Sequence, residues 1–160
     1  MQNSCIELDE TDCHLLAALQ GDAQATAQTL SSRLNLSPSQ ISRRRQRLEE
    51  CGLIRHYAAR LDALKLGLSV QAFVQVQLGQ HSAETAKSFA SLLQHHSEIT
   101  AAWTLTGEAD YLLRVFTEDL KGLNALVHDV LLRHPAVTRV QSQIVMDQPK
   151  ADAGLPTELS

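Results

Sequence analysis

Apolar residues recur along this 160-residue chain at two different spacings, and the change of spacing divides it. In the first third the spacing is helical. "LDETDCHLLAALQGD" puts Leu15, Leu16 and Leu19 on one face, with Asp9 or Thr11 placed to cap the start. "TAQTLSSRLNL" repeats the pattern with Ala27, Leu30 and Leu34. A third helix is predicted to open at Ser37-Pro38, a capping hydroxyl followed by proline at the first helical position. Ile41 and Leu48 mark its inner face, and Gly52 closes it. Two short helices joined by about three residues form a helix-turn-helix pattern.

"LIRHYAARLD" then predicts a short strand, after which the texture changes. In "LSVQAFVQVQL" Val70, Ala72, Val74, Val76 and Leu78 alternate with Gln71, Phe73, Gln75 and Gln77, the mark of a half-buried strand. "AETAKSFASLLQHH" reads as an amphipathic helix with Phe89, Leu92 and Leu93 inward. "ITAAWTLTG" and "DYLLRVFTE" are two strands around a short turn. "LKGLNALVHDVLLRH" is a helix presenting Leu120, Leu123, Val127, Val130 and Leu131, and "VTRVQSQIVM" is a last strand. The order β-α-β-β-α-β is the ferredoxin-like split βαβ unit. The expected class is therefore α+β. A helix-turn-helix (winged-helix-like) domain spans 1–60, a linker 61–67, a ferredoxin-like domain 68–148 and a tail 149–160. With two prolines and little apolar content, the tail is expected to be extended or disordered unless it docks on a neighbour.

Composition changes this picture little: 44% hydrophobic and 20% charged residues fit an ordinary globular protein. No apolar run approaches the ~18 residues of a membrane span, and no charged-then-apolar leader opens the chain, so a cytoplasmic address without a membrane partner is expected. Cys5, Cys13 and Cys51 lack the even count of a disulfide framework and are expected to be reduced, either as small buried hydrophobes or with one as a regulatory thiol.

Charge changes the picture more. Arg33, Arg43, Arg44, Arg45, Arg47, Arg55 and Arg60 face only Glu49 and Glu50 between positions 33 and 60. That local balance of +5 in a chain of net −4 leaves −9 elsewhere. Such a segregated basic block points to a polyanion. Ser37, Ser39, Gln40, Ser42, Arg43, Arg44, Arg45 and Arg47 are the candidate DNA-binding residues. Gln pairs with adenine, Arg with guanine, and further arginines hold phosphates of double-stranded DNA. Arg45 falls at an inner position, where its stem can pack while the guanidinium snorkels outward. The competing reading is a solvated charged helix. Against it stand the Ser-Pro start, the preceding short helix, and the absence within the cluster of compensating acids four residues away.

Catalytic and metal chemistry leave no comparable signature. His95, His96, His128 and His134 lack a metal-ligand pattern, and no phosphate-binding glycine loop occurs, so no cofactor, metal or enzyme activity is expected.

"LSSRLNLSPSQISRRRQRLEECGLIRHYAARLD" and "TGEADYLLRV" resemble the Lrp/AsnC family of bacterial transcription regulators, and the likeness runs from about Leu8 to Met146. The resemblance implies an N-terminal DNA-binding domain. It also implies a C-terminal ferredoxin-like domain that dimerises, assembles further to a tetramer or octamer, and senses a small-molecule effector, usually an amino acid. Effectors of the family sit against the turn that here comprises Thr106, Gly107, Glu108, Ala109 and Asp110. Gly107 permits close backbone approach and Asp110 can pair with an ammonium. The alternative is a simple hairpin turn with Asp110 as its cap. Ala109 and Glu108 stand where the family often has an aromatic and an Asp, and Trp103 could face the same pocket or the core. The expected function is an effector-gated regulator. Its rivals are an architectural DNA-organising protein with little effector response, and a small enzyme binding a phosphorylated substrate.

Overall fold

A computed structural model describes residues 7–80 and 82–157; Cys5 lies outside the described residues. The chain forms two units. One runs up to Arg60 and takes in the segment from Lys150 onward; the other is Leu61–Pro149.

Helix α1 (Glu10–Gly21) starts where Asp9 and Asp12 exchange hydrogen bonds with each other's backbone N–H, so Asp9, and not Thr11, is its cap. α2 (Ala27–Leu34) is capped by Thr26, and α3 (Pro38–Glu50) by Ser37 with Pro38 in its first turn. The turn between α2 and α3 passes through Asn35 in the left-handed region (φ 53°). Ser31 ties it down, its hydroxyl donating to the Leu36 carbonyl at 2.6 Å. Leu15, Leu19, Ala25, Leu30, Ile41 and Leu48 are buried together. Each large side chain so buried contributes about 1.5–3 kcal/mol. This core fixes α3 so that the inner stripe set by Ile41 and Leu48 leaves its remaining face to solvent.

The strand expected over "LIRHYAARLD" does not form. A strand exists by pairing, and among the described residues of the first unit no other strand is present to pair with it. The chain instead leaves α3 through Gly52 (φ 75°), with Ile54 N–H returning to the Leu48 carbonyl at 3.0 Å.

The tail is extended, as its composition predicts, but it is anchored. Gln20 forms a two-bond fork with Leu155, Nε2 donating to the carbonyl at 2.9 Å and Oε1 accepting the N–H at 2.6 Å. A Cβ on Gly154 would come within 2.7 Å of Gln20 Oε1, so a larger residue there would have to displace the fork. Arg60 also donates to the Asp152 carbonyl. Beneath this strap lies an apolar cavity of about 500 Å3 lined in part by Leu16, Leu19, Ile54 and Pro156.

In the second unit β1 (Val70–Leu78), α4 (Ala83–Gln94), β2 (Ile99–Thr104), β3 (Tyr111–Thr117), α5 (Leu120–Ala125) and β4 (Val137–Ile144) follow the expected βαββαβ order. The four-stranded antiparallel sheet has the order β2-β3-β1-β4. Ala72, Val74, Val76 and Leu78 turn toward the helices, where Phe89, Leu113, Val115, Leu123, Leu126 and Leu131 complete the core.

The last helix departs from a simple 3.6-residue stripe. α5 widens into a π-helical segment over Leu126–Leu131, with Leu132 N–H bonded to the Val127 carbonyl at 2.9 Å. Leu126, three residues on from buried Leu123, is buried at 4% exposure, while Leu120, expected inward, opens the helix and is 59% exposed. Val127 and Val130 are half-buried beside Leu131. His134 differs from the solvated histidine that helix ends usually carry. It is buried against the edge of Phe89, with Nε2 3.1 Å from Ser88 Oγ and Nδ1 accepting the Ala136 N–H.

Candidate nucleic-acid interface and effector turn

Most of the outward face of α3 follows from its cap. Ser37 and Gln40 form a capping box: the Ser37 hydroxyl accepts Gln40 N–H, and Gln40 Oε1 accepts Ser37 N–H at 2.9 Å. Ser39 Oγ lies 3.1 Å from Ser37 Oγ. Ser39, Gln40, Ser42, Arg43, Gln46 and Arg47 are exposed, and Arg43 enters no ion pair among the described residues.

The other arginines are not free: Arg44 and Arg47 find their acids at the start of α1, and Arg45 finds Glu49 four residues on in α3, where no compensating acid was expected. Arg44 Nη1 donates to Asp9 Oδ2 at 2.6 Å and to Asp12 Oδ1 at 2.8 Å. Arg47 donates to Asp12 Oδ2. The Asp12 side chain is fully buried, so this carboxylate is the inner anchor of two guanidinium groups that reach it from α3. Arg45 Nε donates to Glu49 Oε1 at 3.1 Å, and its guanidinium lies 4.6 Å from the centre of the Tyr57 ring. Tyr57 donates its hydroxyl to the same Glu49 oxygen at 2.8 Å. The snorkelling expected of Arg45 thus ends on Glu49 and Tyr57.

Two carboxyls of this network are held below their ordinary values. The Arg44 hydrogen bond lowers Asp9 from 3.8, and the Tyr57 hydroxyl, then Arg45, lower Glu49 from 4.5. A carboxyl depressed in the folded state stabilises it above the unfolded value, and that contribution is lost as pH falls through the folded value. The first unit is therefore expected to melt at progressively lower temperature on acidification below about pH 4.5. Glu49→Gln should flatten that dependence, as followed by calorimetry between neutral and acid pH. An equally steep acid limb in the variant contradicts the assignment to Glu49.

In the second unit the turn between β2 and β3 faces two ways. Gly107 takes φ 128°, which favours glycine. Glu108 and Ala109 line a pocket of about 30 Å3 with Gln75, Gln77, Arg139 and Gln141 on the helix-free sheet face. Asp110 lines a separate recess of about 350 Å3 with Gln80, Ser82, Thr104 and Tyr111, beside the start of α4. Asp110 Oδ2 accepts Leu78 N–H at 2.6 Å, and Asp110 N–H donates to Val76 O at 3.0 Å, where the β1–β4 register shifts. The carboxylate thus has a structural task, as the hairpin reading requires.

Trp103 is 45% exposed and lies outside the core. The pairing places it in a row across the sheet with Leu112, Gln75 and Gln141. That row carries it onto the helix-free face, along with Phe73 and Phe116.

Sequence reading missed Asp12 as a member of the α3 network. Its signal is its place three and seven residues before Leu15 and Leu19, an acid on the apolar stripe of a helix that must pack on a basic one.

The fold and these surfaces define a helix-turn-helix DNA-binding unit joined to a ferredoxin-like ligand-binding unit. The AsnC-type helix-turn-helix domain matches residues 8–49, and the Lrp/AsnC ligand binding domain matches residues 71–155. The chain belongs to the Lrp/AsnC family of transcriptional regulators. It is 33% identical over 153 residues to the transcriptional regulator AzlB of Bacillus subtilis, covering 96% of this chain and 98% of that one. It is 33% identical to the leucine-responsive regulatory protein of Klebsiella pneumoniae over 90% of this chain and 88% of that protein. A transcriptional regulator from Neisseria meningitidis, solved as a complex with L-methionine, superposes with a TM-score of 0.90 at 37% identity, covering 94% of this chain and 97% of the other.

Proposed function

We propose that this protein is a cytoplasmic homo-oligomeric regulator that lays α3 in the major groove of DNA, and that an amino acid bound beside the β2–β3 turn changes its DNA affinity or its assembly. The observation that carries the reading is the geometry of α3. It is capped at its start and held from behind by the first unit's core, and it presents Ser39, Gln40, Ser42 and Arg43 to solvent. Those are residue types that read base edges and phosphates. Ser37, Arg44, Arg45 and Arg47 support this surface, and their cap and ion-pair roles fix its shape. No catalytic role is assigned to any residue.

The helix-free sheet face supports the homo-oligomer. Trp103, Leu112, Phe73 and Phe116 stand on it among glutamines, apolar surface that a second copy of the sheet would cover. Two-fold pairing would present two α3 helices to two half-sites.

For the effector, the recess beside Asp110 falls within the ~300–1,000 Å3 range of small-molecule sites. The complex of the Neisseria relative with L-methionine supports an amino acid as its chemical class. Thr106, Gly107, Glu108 and Ala109 complete the turn on which such a ligand would rest.

The test is fluorescence-anisotropy binding to the duplex upstream of the protein's own gene, with a scrambled duplex as control, at two salt concentrations, with and without each amino acid. Preference for the genuine duplex that shifts with one amino acid is the expected result. Equal, salt-steep binding to both duplexes, indifferent to every amino acid, favours the architectural alternative, for which the structural use of Asp110 is the supporting observation.

A further inference from the structure

We propose that Asp12 is a positioning residue for DNA recognition: its buried carboxylate stands in for phosphate toward Arg44 and Arg47, and so limits sequence-independent binding. The inference rests on the reading of α3 as the recognition helix. Asp12 belongs to α1, and its side chain is shut off from water. Each of its oxygens receives a guanidinium from α3, Oδ1 that of Arg44 and Oδ2 that of Arg47. Asp9 supplies Arg44 with a second acceptor at 2.6 Å. The two arginines and two aspartates cancel in charge.

A phosphate that recruited Arg44 or Arg47 would have to draw a guanidinium away from a carboxylate that has no water to replace it. Removing one partner from a buried pair is strongly unfavourable. Generic DNA offers only phosphates in exchange, so the pairs hold, and Arg43 is left as the unpaired cation of the cluster. Affinity then depends more on base-edge contacts from α3 than on counting phosphates. The same network fixes the two side chains in one orientation across α1 and α3, so the surface met by the groove is preformed.

The opposite substitution is tolerable. Asp12→Asn leaves two guanidinium groups that are 27% and 49% exposed and can reach water, whereas losing an arginine leaves a buried carboxylate with one guanidinium in place of two. Freed, Arg44 and Arg47 become available to the DNA backbone. Each added phosphate contact steepens the dependence of log affinity on log salt by about 0.9.

The experiment uses the full chain and the genuine and scrambled duplexes, titrated between low and physiological salt. In Asp12→Asn the affinity for scrambled DNA should rise about tenfold at low salt, the slope should steepen by about one to two, and the ratio of genuine to scrambled affinity should fall. A merely structural role for Asp12 does not steepen the slope of the folded protein. Unchanged or weaker binding to scrambled DNA, at unchanged slope and intact circular dichroism, overturns the proposal.

If Asp12→Asn fails to fold, Asp9→Asn decides. Asparagine caps a helix as well as aspartate does, and this change removes one of the two acceptors of Arg44. A smaller steepening is expected, and none at all overturns the proposal. Arg43→Ala separates the two layers of the argument. Weakened binding in Arg43→Ala together with no change in Asp12→Asn rejects the role of Asp12 alone. Unchanged binding in Arg43→Ala rejects the recognition-helix reading, and the proposal with it.

Discussion

Phe89→Ala should lower the stability of the ferredoxin-like unit by about 3–5 kcal/mol, the cost of emptying a large buried site that cannot collapse. Phe89 is fully buried on α4, its ring 4.8 Å from that of Tyr111 and 5.4 Å from that of His134. It therefore joins α4 to β3 and to the residues that follow the π-helical turn. A loss of that size is a large share of the ~5–15 kcal/mol that keeps a domain folded. Calorimetry of the full chain should show the transition of the second unit falling steeply while that of the first stays in place. Equal loss in both transitions would show that the two units melt as one.

Arg44→Ala should cost the first unit roughly 3 kcal/mol, because it leaves the buried Asp12 carboxylate with Arg47 alone. By sequence, Arg44 and Arg43 are equivalent neighbours on a basic helix. The structure separates them. Arg43→Ala should move stability by less than about 0.5 kcal/mol, as surface substitutions usually do. Urea unfolding of the two variants checks this, with midpoints compared at equal slope. Similar midpoints would mean that the ion pairs with Asp9 and Asp12 contribute little to folding. Any DNA-binding loss in Arg44→Ala has accordingly to be measured at a temperature where the unit is still folded, whereas Arg43→Ala reports on the interface directly.

The contrast between these arginines also marks what sequence could and could not reveal. The Ser37-Pro38 start of α3, the alternation from Val70 to Leu78 and the βαββαβ order were legible because each is a local pattern with a fixed period or a fixed cap. The network around Asp12 joins positions 32 and 35 residues apart, beyond the reach of helical spacing rules. Leu120 fits the helical stripe by spacing but opens α5 and stays exposed, and a stripe does not reveal how far the core reaches along a helix. "LIRHYAARLD" has the composition of a strand, but pairing is a property of two segments and the first unit offers no second one. In the candidate effector site, the five turn residues were legible as a turn. That Glu108 and Asp110 line different recesses depends on which strands and helix pack beside the turn, which no single segment encodes.

The Gln20 fork has a consequence for how this protein can be taken apart. The first unit is discontinuous: its chain departs at Arg60, and returns at Lys150 to lay residues Gly154 to Pro156 along α1. A fragment cut at the linker therefore loses the cover of the cavity over Leu16 and Leu19. Chimeras that exchange DNA-binding units between relatives need two junctions, with the C-terminal strand of residues travelling with the N-terminal helices. In this chain the recognition module is written in two pieces that flank the sensing module, so a single cut exchanges neither of them whole.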